Sequence, residues 1–239
     1  MTSLIKFCKP EHNIVERCRT LRLGTLEYYR TLDPKFLIAD ENEGIESTII
    51  RDMNTSTASP DALAATSPIA AMPHVHFANI RLQTTFPNCY IWCCSRCPEP
   101  TLQEGAKFDD EYNSWYRVPR PDRFAEHLHS LLMWHVTRQY FSDAARDLID
   151  SLPIAEMGLS LTIFHHDVVY VDQKTQTIDG GRLNPYVLEI PQVLRPIFVK
   201  PTKYANDREY RFVCLFEHKR FGLLSVRREP LDLPLFPAE

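Results

Sequence analysis

Asp207, Arg208, Glu209, Tyr210 and Arg211 crowd together at the point where an apolar run begins. A carboxylate that enters a strand between two arginines can face a cleft and stabilise a developing positive charge. Arg208 and Arg211 can hold phosphate or keep Glu209 ionised. If Tyr210 to Phe216 is a strand, Tyr210, Phe212, Cys214 and Phe216 share one face. Glu209, Arg211, Val213 and Leu215 then share the other. The structural alternative is a salt-bridge cluster at a strand end.

Three further groups have chemical potential. Cys94 and Cys97 have zinc-ligand spacing, with Cys89, Cys93, His74 and His76 nearby. There is no second Cys-x-x-Cys pair, so these cysteines read as small buried apolar residues, and no metal site is assigned. His165 and His166 precede Asp167, the order of a base with an orienting acid. Adjacent strand residues face opposite ways, so a turn is expected there instead. His127, His129 and His135 fall on a helical pattern. Tyr112, Trp115, Tyr116 and Arg117 can stack a nicotinamide or a base, or plug a core edge.

The elements that must position these groups form an α+β pattern rather than a regular βαβ alternation. Strands are expected at Leu4 to Cys8, Leu21 to Thr25, His76 to Thr84 and Cys89 to Ser95, the last two joined through Pro87 and Asn88. Later strands are expected at Leu159 to Phe164, Val168 to Val171, Tyr186 to Ile190, Ile197 to Lys200, Tyr210 to Phe216 and Gly222 to Val226. Glu11 to Arg19 fits a short amphipathic helix. Arg123 to Ile149 fits a long one, with Asp122 as its N-cap. Asp179 to Gly181 signals a turn. Residues 54–72, rich in Ser, Thr, Ala and Pro, read as a loop insertion. Residues 230–239 read as an extended C-terminal tail.

The 239 residues are read as one domain, 1–239, and 44 % apolar content supports a sizeable core. A net charge of −4 is not that of a strongly basic nucleic-acid binder. Seven glycines and no Gly-rich loop argue against P-loop hydrolases and ordinary dinucleotide folds. No Gly-x-Ser-x-Gly elbow supports a serine hydrolase. No apolar run is long enough to span a membrane, and the N-terminus lacks a signal-peptide h-region. With an odd number of cysteines, these features point to a reducing, cytoplasmic setting.

Several segments together carry a resemblance: Leu4 to Phe7, Asn13 and Ile14, Leu21 to Tyr29, Asp40 to Gly44, Cys94 and Ser95, and Phe198 to Pro201 with Tyr204 and Glu209 to Phe212. They resemble a widespread bacterial and phage family that is distantly similar to ADP-ribosyltransferase toxins. The resemblance covers most of the chain outside 54–72 and the tail. It implies a split, mostly antiparallel β core with flanking helices that clamps NAD as co-substrate. Glu209 would stabilise the oxocarbenium ion as nicotinamide leaves. Lys6 or Arg22 would hold the cofactor from an early strand, and Ser95 would support the nicotinamide ribose. Asn13 would contact the cofactor, and Tyr28 or Tyr29 would stack on nicotinamide. The implied role is a toxin or phage-defence effector that modifies nucleic acid or protein, with an antitoxin as a partner. Lysine in place of arginine or histidine cannot make a bidentate phosphate contact. Asp207, two residues before Glu209, fits a nucleic-acid base as acceptor better than arginine. The other function class is a non-catalytic nucleic-acid-binding module using Lys200, Lys203, Arg208 and Arg211 as a basic patch.

Overall fold

The computed structural model describes residues 3–16, 18–32, 40–66, 72, 74–150, 158–187 and 189–235. In chain order the elements are β1 (Ser3–Cys8), β2 (Thr20–Thr25), α1 (Leu26–Thr31), β3 (Ile45–Asn54), α2 (Pro60–Ala65), β4 (His76–Thr85), β5 (Tyr90–Cys97), α3 (Leu102–Ala106), β6 (Ser114–Val118), α4 (Pro121–His135) and α5 (Asp143–Asp150). They continue with β7 (Leu159–Asp167), β8 (Val169–Val171), β9 (Thr175–Asp179), β10 (Arg182–Asn184), α6 (Arg195–Phe198), β11 (Val199–Pro201), β12 (Glu209–His218), β13 (Gly222–Leu224) and β14 (Leu231–Pro234). The chain is α+β and strand-rich. It divides into two compact units. The first comprises Met1–Glu43, Pro87–Val168 and Asn206–Glu239; the second comprises Gly44–Phe86 and Val169–Ala205.

The first unit is built on an antiparallel sheet of eight strands. β12 is its spine, pairing with β7 along one edge and with β5 and then β13 along the other. The expected alternation of β12 holds. Tyr210, Phe212, Cys214 and Phe216 join the main core, where Trp92, Phe124 and Phe212 pack as tilted and edge-to-face rings 4.5–5.5 Å apart. Leu128, Leu131 and Leu132 of α4 and Ala145 and Ile149 of α5 fill the same core. The opposite sheet face carries a smaller cluster of Ile5, Phe7 and Cys97 with Phe108, Tyr112 and Trp115 packed on it.

The second unit holds a four-stranded sheet in the order β10-β9-β3-β4 and a parallel β8·β11 pair. Ile50, Met53, Ala62 and Ile178 form its core. Gly180 and Gly181 both take positive φ, 53° and 72°, and make the β9–β10 turn that the sequence signals.

Several expectations are corrected. Residues 54–72 are not simply a loop: Asn54 ends β3, and α2 follows with Ser59 Oγ accepting from the Ala62 amide and Pro60 in its first turn. The tail is not merely draped over the surface, because β14 pairs with β2 and buries Leu231 and Leu233; residues 236–239 lie outside the described residues. Among the described residues between Glu11 and Arg19 there is a short 3-10 turn at Pro10–His12 and a turn over residues 14–16, with the Asn13 side chain accepting from the Val15 amide, in place of the expected helix. The long helix is two: α4 stops where Val136 turns extended, and α5 begins at Asp143. Asp122 lies in the first turn of α4 rather than at its cap, since Pro121 needs no hydrogen-bonded amide there. β4 and β5 are not a hairpin; Asn88 instead donates to the carbonyls of Val226 and Arg227 and accepts from the Glu27 amide. Among the described residues of 186–190 there is no strand. His165 and His166 lie within β7 instead of a turn.

Candidate functional site

β5 is the key to the site. Its edge away from β12 is shared by two strands: β2 pairs with Tyr90 and Ile91, and β1 pairs with Ser95, Arg96 and Cys97. Neither ladder covers Trp92 to Cys94, so the sheet splits there. The Lys6 ammonium fills the gap, donating to the Cys93 carbonyl at 2.7 Å and lying 5.2 Å from the Trp92 ring centroid. Such a bond satisfies a backbone acceptor that would otherwise lose its ladder partner.

Cross-strand partners project to the same face of a sheet. The register Ile5↔Ser95↔Glu209, with Arg211↔Cys93 and Gly24↔Ile91, therefore gathers Glu209, Arg211, Ser95, Cys93 and Gly24 on one face at the split. Arg22 alternates with Leu21 and Leu23 and shares that face.

Arg211 is the hub. Its guanidinium meets both Glu43 oxygens at 2.7 Å. It also donates from Nε to Glu209 Oε1 at 2.7 Å and from Nη2 to Glu209 Oε2 at 3.3 Å. Arg211 is 1 % exposed, Glu43 0 % and Glu209 8 %. Burial alone would lower the Arg211 pKa, but the flanking Glu209 and Glu43 carboxylates override it and hold the guanidinium well above its ordinary value. Both carboxylates thus share the one guanidinium. Glu209 is the member with an exposed edge.

The residue before Glu209 is strained. Arg208 has φ 45°, a left-handed conformation uncommon for a side chain with a Cβ. The Arg208 carbonyl accepts from the Arg96 amide at 2.8 Å, and the Glu209 carbonyl accepts from the Val168 amide at 2.9 Å. These bonds fix the entry of β12 and hence the direction of the Glu209 side chain.

Around the cluster stand a thiol, a hydroxyl and aromatic rings. Burial, and then the Glu209 charge, push the Cys93 thiol far above its ordinary pKa, so it remains protonated and bonds Glu209. Ser95, half-buried, is the direct cross-strand neighbour of Glu209, and its hydroxyl makes no hydrogen bond among the described residues. Burial, with Cys93 and Glu209 close by, raises the Tyr29 pKa well above its ordinary value. Tyr29 packs edge-on to Tyr28 at 5.6 Å and lies over Gly24, where an added Cβ would come within 2.7 Å of the ring.

The residues expected to form the site are thus only partly united. Glu209, Ser95, Tyr29 and Arg22 share the split face, with Tyr28 against Tyr29. Arg22 also forms an exposed ion pair with Asp232 at 3.5 Å. Lys6 does not join them: it alternates with Ile5 and Phe7, and its ammonium lies toward the Trp92 side of the sheet. Asn13 is 1 % exposed and engaged elsewhere, donating to Ser114 Oγ at 2.9 Å and the Trp115 carbonyl at 3.3 Å while accepting from the Val15 amide. It ties the 10–18 segment to β6.

The other constellations resolve differently. Arg211 and Lys200 are buried, Lys200 at 3 % exposure, so neither belongs to an exposed basic patch. Cys93 and Cys94 face opposite sides of β5, and among the described residues no group of three His, Cys, Asp or Glu can hold a metal ion. All seven cysteines are free thiols. His165 bonds the Tyr210 hydroxyl at 2.7 Å, stacks on Phe212 and has its Nε2 3.4 Å from the exposed Asp122 carboxylate, while the Asp167 carboxylate is engaged by Arg96. No helix among the described residues is long and apolar enough to cross a membrane.

Sequence reasoning did not identify Glu43 as an ion-pair partner or Cys93 as a neighbour of Glu209. Glu43 stands 168 residues from Arg211, and its only local signal is the turn in which its amide donates to the Asp40 carbonyl. Compared with known proteins, the chain matches no family model, no curated protein and no solved structure.

Proposed function

We propose that this protein is an NAD-dependent ADP-ribosyltransferase with the corresponding split-sheet fold. The observation that supports this reading best is the Glu209–Arg211–Glu43 cluster, placed where β1 and β2 part from β5. The Glu209 carboxylate suits a developing positive charge, and NAD presents a pyridinium ring. Tyr28 and Tyr29 offer aromatic faces that attract such a cation. The Ser95 hydroxyl has hydrogen-bonding capacity left for a ribose.

In the proposed reaction the bond between the ribose anomeric carbon and the nicotinamide nitrogen breaks. The electron pair leaves with nicotinamide, and the ribose becomes an oxocarbenium ion. Glu209 stabilises that charge electrostatically and is held in place by Arg211 rather than by solvent, so little reorganisation is needed as charge develops. The acceptor then adds to the anomeric carbon and loses its proton. The acceptor is proposed to be nucleic acid or protein.

The test is nicotinamide release from NAD by purified protein, with and without cellular nucleic acid and protein. Glu209→Gln keeps the side-chain shape and removes the charge. It is expected to lower turnover by about 100- to 1000-fold, the scale of losing one preorganised electrostatic contact. Unchanged turnover in a folded Glu209→Gln protein would overturn the assignment.

A further inference from the structure

A second surface of the first unit is a groove among the described residues that has no part in the Glu209 cluster. Along α4, Phe124, His127, Leu128, Leu131, Trp134 and His135 line one side of a groove of about 530 Å³. Their spacing of three and four residues is that of one continuous helix stripe. Ile14, Leu21 and Leu235 form the facing wall. From Phe124 to His135 the stripe is about 16 Å long at helical rise, room for about three turns of a second helix. Trp134, at 81 % exposure, stands at the rim, and aromatic side chains left so open are typical anchors for a partner.

Chemistry at one end specifies the occupant. A second hollow of about 490 Å³ shares Ile14 and Phe124 with the groove and is lined by Arg117, Arg120 and Arg123. All three are exposed. Arg123 pairs with Glu126 at 2.9 Å, whereas Arg117 and Arg120 have no ion-pair partner among the described residues. The positive end of the α4 dipole adds to the same field. A concave apolar trough favours a helix over a flat lipid surface, and its basic end favours carboxylates.

The geometry points to this groove as the docking site for an amphipathic helix of a protein partner, whose apolar stripe lies along α4 and whose acidic residues meet Arg117 and Arg120. Recognition would be of the helix-in-groove kind, with apolar anchors for affinity and end charges for orientation.

The probes are two model helices of about 18 residues with the same leucine stripe, one with glutamates and one with lysines at the end facing the arginines. Binding is read by tryptophan fluorescence and by calorimetry on the full chain. The glutamate peptide is expected to bind at least tenfold more tightly than the lysine peptide. Trp134→Ala, a change at an exposed position, is expected to weaken binding at least tenfold with circular dichroism unchanged. The double variant Arg117→Glu, Arg120→Glu is expected to reverse the preference. No binding of either peptide, or equal binding of both, overturns the proposal. Two other results do so as well: tighter partition of the protein onto anionic vesicles than onto the glutamate peptide, and a self-association abolished by Trp134→Ala, which would make a second copy the occupant.

Discussion

At the scale of single residues, Arg211 decides how Glu209 can act. A buried guanidinium between two carboxylates is costly to assemble and more costly to break, because an unpaired charge is then left away from water. The three positions should therefore differ in predictable order. Arg211→Met removes the buried guanidinium that bonds both Glu43 and Glu209, and a loss of about 3–5 kcal/mol in unfolding free energy is expected. Glu43→Gln leaves the Arg211–Glu209 pair intact and should cost less, about 1–3 kcal/mol for charge-assisted hydrogen bonds. Denaturant titration of both variants checks the order; equal losses would mean that the cluster does not depend on its central charge. The Glu209–Arg211 ion pair was legible in the sequence as a charged cluster at the entry of an apolar strand. Its partner was not, since nothing local to Glu43 reports a contact across 168 residues.

At the scale of elements, the split of the sheet depends on how β2 gives way to α1. Thr25 ends the strand and caps the helix through its hydroxyl, which accepts from the Tyr28 amide at 3.1 Å. This directs Tyr29 back over Gly24, a close approach that only a residue without a Cβ permits. Gly24→Ala would place a methyl 2.7 Å from the Tyr29 ring and must displace it. The expected result is a loss of about 1–3 kcal/mol from overpacking, with an altered near-ultraviolet tyrosine signal. Unchanged stability and signal would show that Tyr29 is not held there. The alternating β2 and the apolar runs of β5 and β12 were readable from sequence as strands. β3 and β9 were missed although Ile45–Asn54 is a ten-residue strand, because their polar positions (Glu46, Thr48, Gln176) face inward. There Glu46 accepts from the Tyr186 hydroxyl at 2.6 Å and Gln176 donates to Thr48 at 3.0 Å, so a buried polar network replaces the apolar face that a pattern search seeks.

At the scale of the whole molecule, the buried thiols and phenols give a pH signature. Burial raises Cys8 to about 11 from an ordinary 9.0 and Cys94 to about 12; it raises Tyr90 and Tyr112 to about 12 from 10.0. A group whose folded pKa lies above its unfolded value contributes fully below the unfolded value and loses that contribution as pH rises through the folded one. Stability should hold up to about pH 9 and fall steeply between about pH 9 and 12. Denaturant midpoints across that range check this, and a flat profile would contradict the burial of these groups. The two-unit division itself could not be seen in the sequence. The second unit is assembled from two separated stretches, and Pro87 and Asn88, which look like a hairpin link, pass between units instead.

Glu209, fixed by Arg211 at the split of the sheet, is proposed to stabilise positive charge on a bound cofactor. The most direct measurement is nicotinamide release from NAD by the wild-type protein beside Glu209→Gln, with both proteins shown to be folded. Release by the wild type and a loss of about 100-fold or more in the variant are expected. Equal release by both, or no release by the wild type with any nucleic-acid or protein acceptor, would contradict that role.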